Sequence, residues 1–434
     1  MRWTSCIPDG LNVRPGRVGD LVRAFARFGA LPTGGVSRLC ASTADGEARD
    51  HLRALLQQAG AEIAVDAVGN QFGLFRLASS HDAPCVMIGS HLDSQPRGGR
   101  IDGTLGVMAA LEIGQLLLAA KQQGHGFERN FCLVNWTNEE GARFRPSLLG
   151  SGAFAGHHSD DFALACRDDA GVTLQDALSL IGYRGADARP AMPAFYIELH
   201  AEQGPRLETA GRQIGLVTGN WGAAKLELVF EGVQAHTGPT PMAERRDALL
   251  AAARAIDALR RLADQTPQMV HTSVGRMIVA PNSSNVVAAR VELTAEIRSP
   301  DDDILMEAES GFQQTLDTIA ENTPVVLHRP SRSLRRARAM PETMVTFLEM
   351  CSTALGQQPM RLDTVSGHDA LSLIGLCQTA LVFVPSIGGI AHNEAEATHD
   401  DDMDAGTSLL LEASYRLCSG IEPGFATRQR HDGE

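Results

Sequence analysis

The 434-residue chain has no apolar run approaching the roughly 20 residues that a membrane-spanning helix needs. Its first ten residues, Met1 to Gly10, carry neither a continuous apolar core nor a small-residue cleavage site, so export is not expected. The eight cysteines (Cys6, Cys40, Cys85, Cys132, Cys166, Cys351, Cys377 and Cys418) include no CxxC pair, which leaves thiolate zinc sites without support. Several sit in apolar runs, as reduced buried thiols of a cytoplasmic protein do. Basic residues are in deficit, 38 Lys and Arg against 52 Asp and Glu, for a formal charge of -14. That balance repels phosphate backbones, so no nucleic-acid partner is expected; the one dense basic stretch, Arg329 to Arg338, reads as a solvated helix or linker. Internal repeats and low-complexity tracts are missing as well. What remains is an ordinary globular composition, 44% hydrophobic and 21% charged, in a chain long enough for two domains.

From Gly16 to about Gly211, helical patterns (Val18 to Phe28, Glu47 to Ala59, Leu105 to Ala120) alternate with short apolar strands (Val86 to Ser90, Phe131 to Asn135). Strand, helix, strand implies a parallel sheet with right-handed crossovers. A different rhythm follows: strand Lys225 to Phe230, helix Met242 to Leu262, strands Val270 to Ile278 and Val286 to Arg298, helix Asp302 to Ile319, strand Val325 to His328. This βαββαβ order is the split-βαβ, ferredoxin-like pattern. The expected architecture is therefore α/β: a catalytic domain on a mixed, mostly parallel sheet (residues 1–213 and 330–434), resuming at Leu381 to Val384 and ending in a helix near Ala405 to Leu417. An inserted lid or dimerisation domain occupies 214–329, and glycine-rich Gly215 to Gly222 serves as its hinge.

The residues that carry chemistry follow apolar strands. Val86-Met87-Ile88 runs into Gly89-Ser90-His91-Leu92-Asp93 and on to Asp102, and Cys132 to Asn135 runs into Asn138-Glu139-Glu140-Gly141. Ligands gather beyond the carboxyl ends of parallel strands, which is where these acids fall. Adjacent strand-end residues point to opposite sides, so Glu139 and Glu140 divide two roles: one binds metal and the other moves protons. Tyr196 to Leu199 leads to His200, and Val382 to Val384 leads to the glycine loop holding His392. A lone histidine usually reads as a satisfied polar residue at a core edge. Together, His91, Asp102, Glu140, His200 and His392 form a donor set suited to a binuclear metal site, which needs imidazole and carboxylate ligands and one bridging carboxylate. Zinc, manganese, cobalt and nickel all suit such donors. Asp93, two residues after His91, is placed to orient that imidazole. His157-His158, near Ser159-Asp160-Asp161, lacks a strand-end setting and reads as structural.

Five ordered motifs carry a resemblance over nearly the whole length: His91-Leu92-Asp93-Ser94 with Gly98-Gly99-Arg100-Ile101-Asp102-Gly103; Asn138-Glu139-Glu140-Gly141-Ala142-Arg143-Phe144; His200-Ala201-Glu202-Gln203-Gly204-Pro205; His236-Thr237-Gly238-Pro239-Thr240-Pro241-Met242 with Arg245-Arg246-Asp247; and Gly389-Ile390-Ala391-His392-Asn393-Glu394. The chain resembles the N-carbamoyl-L-amino-acid hydrolase, allantoate amidohydrolase and β-ureidopropionase group of M20-like metal-dependent amidohydrolases. The resemblance implies two divalent ions per subunit. Asp102 would bridge them, His91 and His200 would complete one site, and Glu140 and His392 the other. Glu139 would be the general base that takes a proton from the attacking water and passes it to the leaving nitrogen; a dication lowers the pKa of water to about 7, so little extra basicity is needed. His200, where peptide-cleaving relatives carry a carboxylate, favours the carbamoyl and ureido branch.

The resemblance further implies a homodimer in which His236 reaches the partner's site and stabilises the oxyanion. Arg298 would clamp the substrate carboxylate, and Gln203, Asn285 and Gly367 would contact substrate. Three departures from the family pattern stand near these positions: Thr364-Val365-Ser366 before Gly367, Ala288-Ala289 after Asn285-Val286-Val287, and Trp221. The implied activity is hydrolysis of the ureido C–N bond of an N-carbamoyl-L-amino acid to amino acid, carbon dioxide and ammonia, in the cytoplasm. Allantoate amidohydrolase and β-ureidopropionase are the near alternatives; a peptidase or aminoacylase, or a silent binding protein of the same fold, are more distant ones.

Overall fold

The computed structural model describes residues 4–80 and 82–422. Its described residues divide into two compact units: one takes in those up to Thr218 and from Met340 onward, the other is Gly219–Ala339. In chain order the strands are β1 (Glu62–Val65), β2 (Gln71–Phe75), β3 (Cys85–His91), β4 (Asn130–Trp136), β5 (Phe195–Ala201), β6 (Gly215–Asn220), β7 (Gly222–Glu231), β8 (Ala235–His236), β9 (His271–Ala280), β10 (Val286–Val287), β11 (Arg290–Ser299), β12 (Val326–Arg335), β13 (Arg338–Ala339), β14 (Met360–Thr364) and β15 (Gln378–Val384).

In the first unit the sheet runs β1-β2-β4-β3-β5-β15-β6, with β14 also beside β6. The central β4, β3, β5 and β15 are mutually parallel, and β1, β2 and β6 join antiparallel at the flanks. This is the mixed, mostly parallel α/β sheet that the sequence pattern predicts. Nearly every residue of the four central strands is buried. Burial on both faces is why these strands read as unbroken apolar runs rather than as alternation. The helix Thr104–Gln122 lies on β3, β4 and β5 and packs against the helices Arg17–Phe25 and Asp400–Cys418. Its 19 residues are long and apolar enough, by length and composition alone, to cross a membrane, which corrects the reading that no such segment exists. Of that span 72% is buried inside the protein, as befits the central helix of an α/β core.

The second unit holds a four-stranded antiparallel sheet in the order β12-β7-β11-β9. The helices Ala248–Gln265 and Asp302–Glu321 share its core, and β11 alternates strictly between buried and half-buried residues. Chain order β7, helix, β9, β11, helix, β12 is the split-βαβ connectivity. The unit's limits differ from the expected 214–329. Residues 215–218 stay with the first unit, because β6 pairs with β15. At the other end the basic stretch is strand rather than helix or linker. β12 continues to Arg335 along β7, and arginines in and just after it pair with acids of the neighbouring helix: Arg329 with Asp317, Arg332 with Glu309 and, one residue past the strand, Arg336 with Asp302. Gly215 to Gly222, expected as a glycine-rich hinge, is strand except at Trp221, which separates β6 from β7. The helix expected from Met242 begins at Ala248, where the Asp247 carboxylate caps the amides of Leu249 and Leu250. The strand expected as Val286 to Arg298 breaks at Ala288-Ala289, so Val286 and Val287 pair with β8 instead.

Candidate active site: two donor clusters sharing one carboxylate

The four parallel strands deliver their carboxyl ends to one place. His91 ends β3, the Asn138-Glu139-Glu140 turn follows β4, His200 is the penultimate residue of β5, and β15 leads to His392. Asp102 arrives from the turn just before the helix Thr104–Gln122. At Gly103 (φ 64°) a Cβ would press on the His91 ring, so glycine is what lets this turn close on the imidazole.

Asp102 is the centre of the arrangement. Its Oδ1 lies 3.0 Å from His200 Nε2 and 3.5 Å from His91 Nε2. Its Oδ2 lies 3.3 Å from His392 Nε2, which is itself 3.5 Å from Glu140 Oε2. Two donor groups result, His91, Asp102 and His200, and Asp102, Glu140 and His392, each with its ligand atoms within 4.8 Å of one another. They share Asp102 through different oxygens. His392 is about half exposed, with a side-chain exposure of 52%, and marks the open side.

The donor chemistry fits divalent metal. Nδ1 of His91 is 2.8 Å from the Asp93 carbonyl and Nδ1 of His200 is 2.9 Å from the Ala201 carbonyl. Those contacts place the ring proton on Nδ1 and leave the Nε2 lone pairs facing Asp102, an arrangement that calls for a cation between them. Burial opposes the Asp102 charge, yet His200, His392 and His91 hold its carboxyl well below the usual range. Asp102 raises the His392 imidazole to about 9 against the effect of burial. Burial, with Asp102 adding, pushes Glu140 up to about 7, and burial drives Glu139 well above its usual value. Glu140 Oε1 is buried and has no hydrogen-bond partner. Carboxyls and imidazoles thus crowd one small volume, each shifting the titration of the others.

Glu139 Oε2 sits 3.5 Å from His91 Nε2, at the edge of the first cluster. Asp93 does more than orient His91. Its carboxylate accepts from the backbone amides of Glu139 (3.2 Å) and Glu140 (3.3 Å), so it holds the turn that presents both acids, while its carbonyl serves the histidine. Asn138 in that turn, Gln203 after His200, and His392 all take left-handed backbone conformations (φ 56°, 62° and 49°). Non-glycine residues held this way cluster where function over-determines the structure.

Of the substrate-contact candidates, Gln203 donates from Nε2 to Asp102 Oδ2 (3.1 Å), and Gly367 immediately precedes His368, whose ring lies 4.6 Å from that of His200. The other three belong to the second unit. His236 pairs with Val286, and the Asn285 carbonyl accepts from Thr237 N, which makes His236 and Asn285 neighbours. Arg298 lies near the far end of β11, with Nη2 3.1 Å from a Glu296 carboxylate oxygen. His157 and His158 join neither donor group. His157 meets the Ser372 carbonyl at 2.9 Å and His158 stacks on Phe162.

Sequence reasoning passes over several buried groups at the site. Glu396 accepts from the amides of Ile101 and Asp102, and burial with nearby Asp102 pushes its carboxyl up to about 8. Gln95 donates to Glu140 Oε2 at 2.7 Å. Glu198, two residues before His200, joins Ser90 on β3 (2.8 Å) to the amide of Ala370 (2.7 Å). An acid two residues after a histidine, as Asp93 follows His91, was the one available signal, and Glu202 after His200 repeats it; Glu396, four residues after His392, does not.

Fold and site together define a hydrolase with a strand-end carboxylate and imidazole centre, and residues 87–416 match the model of peptidase family M20/M25/M40. The chain belongs to that family. Within it, the chain is 36% identical over 415 residues to the N-carbamoyl-L-amino-acid amidohydrolase of Rhizobium meliloti, covering 95% of this chain and 99% of that one. It is 31% identical over 410 residues to the allantoate amidohydrolase of Bacillus subtilis (92% and 97% covered). A solved structure of a hydantoinase/carbamoylase family amidase from Burkholderia vietnamiensis superposes with a TM-score of 0.91 at 36% identity, covering 96% of this chain and all of that one. The protein is thus an M20-family amidohydrolase.

Proposed function

We propose that this amidohydrolase binds two divalent ions and cleaves the ureido C–N bond of an N-carbamoyl-L-amino acid. The observation that carries the metal reading is the single carboxylate Asp102, shared through its two oxygens between two imidazole and carboxylate clusters. His91, Asp102 and His200 would hold one ion, and Asp102, Glu140 and His392 the other; zinc, manganese, cobalt and nickel all suit these donors. When bound, the ions supply Lewis acidity to the ureido carbonyl and lower the pKa of a neighbouring water. The protein's own residues do the rest. Glu139 takes the proton of the attacking water and returns it to the leaving nitrogen. Water adds to the ureido carbonyl, the bond to the amino-acid nitrogen breaks, and the carbamic acid released falls apart to carbon dioxide and ammonia.

The same proposal gives His236 of the partner subunit the oxyanion, Arg298 the substrate carboxylate, and Gln203, Asn285 and Gly367 the remaining contacts. A homodimer is supported by the open edge of the small sheet. Among the described residues β9 pairs only with β11, and it exposes Met277 and Ile278, so its free backbone groups suit pairing with a second copy. The eight cysteines are free thiols, in keeping with a cytoplasmic setting. The substrate class is supported by the likeness to the Rhizobium meliloti enzyme. Ammonia release should be measured over N-carbamoyl-L-amino acids, N-carbamoyl-β-alanine, allantoate and simple dipeptides, with manganese or zinc added. Preference for a carbamoyl-L-amino acid supports the reading, and turnover confined to allantoate, to carbamoyl-β-alanine or to dipeptides overturns it.

A further inference from the structure

Buried carboxylates grip segments around this site by accepting two backbone amides in succession. Asp93 holds the amides of Glu139 and Glu140. Glu202, just past His200, holds those of Arg206 and Leu207. The third grip crosses between loops. Glu396, four residues after His392, accepts through Oε2 from Ile101 N (3.2 Å) and Asp102 N (3.0 Å). Its residue is 2% exposed, and its Oε1 is buried without a hydrogen-bond partner, so no other donor competes for the carboxyl. The approach is so close that a Cβ at Gly99 would overlap Glu396 Oε2. One side chain therefore joins the turn that carries Asp102 to the loop that carries His392.

We propose that Glu396 is a positioning residue that registers the shared carboxylate Asp102 to His392, and so sets two of the three donors of the second cluster. The proposal rests on the two-ion reading above. Without Glu396, the Ile101 and Asp102 amides become buried donors with no partner, and the turn must move to satisfy them. Asp102 Oδ2 then leaves its place 3.3 Å from His392 Nε2. The first cluster suffers less, because His91 and His200 are held by the carbonyls of Asp93 and Ala201. A carboxamide oxygen accepts both amides as a carboxyl does, so glutamine restores the grip where alanine removes it.

The test uses the full chain, stripped of metal, as wild type, Glu396→Ala, Glu396→Gln and Gly99→Ala. Two readouts are taken: calorimetric titration with Mn²⁺ alone, and backbone hydrogen exchange of the segment around Ile101 and Asp102 in the metal-free protein. Glu396→Ala and Gly99→Ala should weaken the second ion by about 10- to 100-fold, the usual range for an outer-sphere partner, and should speed exchange at 101–102. Glu396→Gln should stay near wild type in both. An unchanged second-ion affinity in Glu396→Ala overturns the proposal, as does a Glu396→Gln that is as weak as alanine. If Glu396→Ala does not fold, Gly99→Ala decides, because it displaces the carboxyl without deleting it. A wild type that takes up only one ion overturns the two-ion reading, and the exchange measurement still decides whether Glu396 holds the turn.

Discussion

Glu139→Gln separates proton handling from everything else the site does. The backbone amide of Glu139 is held by Asp93 whatever side chain it carries, so the turn and Glu140 keep their places. The substituted amide preserves shape and loses only basicity. General-base catalysis is worth about 10² to 10⁴ in rate, or about 2.7 to 5.4 kcal/mol at about 1.36 kcal/mol per decade. The variant should therefore keep its metal content and a near-normal KM while kcat falls by that factor. Stability should move the other way. Burial is the main cause that pushes the Glu139 carboxyl well above its ordinary 4.5; His91 pulls down, and Asp369, Glu140 and Asp102 add to the rise. A folded-state pKa above the unfolded value stabilises the fold fully below that unfolded value, and the contribution is lost as pH climbs toward the folded one. Glutamine has no such titration. Metal-free Glu139→Gln should thus gain on metal-free wild type as pH rises above about 4.5, read by urea unfolding at a mildly acidic and a mildly alkaline pH. A fully metal-loaded variant with kcat within about tenfold of wild type, or a metal-free variant that loses ground as pH rises, would refute the reasoning.

Asp93→Ala orphans two buried amides at about 1 to 3 kcal/mol each, so urea unfolding should show a loss of about 2 to 6 kcal/mol; a change below about 1 kcal/mol would mean the turn holds without it. Arg298→Ala should raise KM for a carboxylate-bearing substrate with little change in kcat, and an effect on kcat alone would remove Arg298 from substrate binding. Mixing inactive His236→Ala and Glu139→Gln proteins should restore activity, because a heterodimer assembles one site with an intact base and an intact donated histidine. No recovery after demonstrated subunit exchange would mean that each subunit completes its own site.

The parts legible in the sequence were those with strong local pattern. Parallel strands buried on both faces, such as Val86 to Ser90 and Phe131 to Asn135, announce themselves as apolar runs, and the donors at their ends follow in register. The alternation of Val291, Leu293, Ala295 and Ile297 likewise marks one face of β11. Boundaries were lost where tertiary pairing outweighs local propensity. The arginines from Arg329 to Arg336 look like a solvated stretch until the acids of Asp302–Glu321 are placed beside them. The helix Thr104–Gln122 was legible as Leu105 to Ala120, and only its apolarity was understated, because Glu112 and Lys121 interrupt the span. Glu396 was passed over for another reason: its function is to accept amides from residues 294 and 295 positions away, and no local spacing encodes that.

The central claim is that Asp102 serves two ions at once. Metal-stripped protein titrated with Mn²⁺, with bound metal measured by elemental analysis and ureido hydrolysis assayed at each addition, tests it most directly. The account predicts saturation at two ions per chain, full activity only as the second binds, and loss of both ions in Asp102→Ala. Full activity with a single bound ion, or an Asp102→Ala protein that still takes up two, would contradict it.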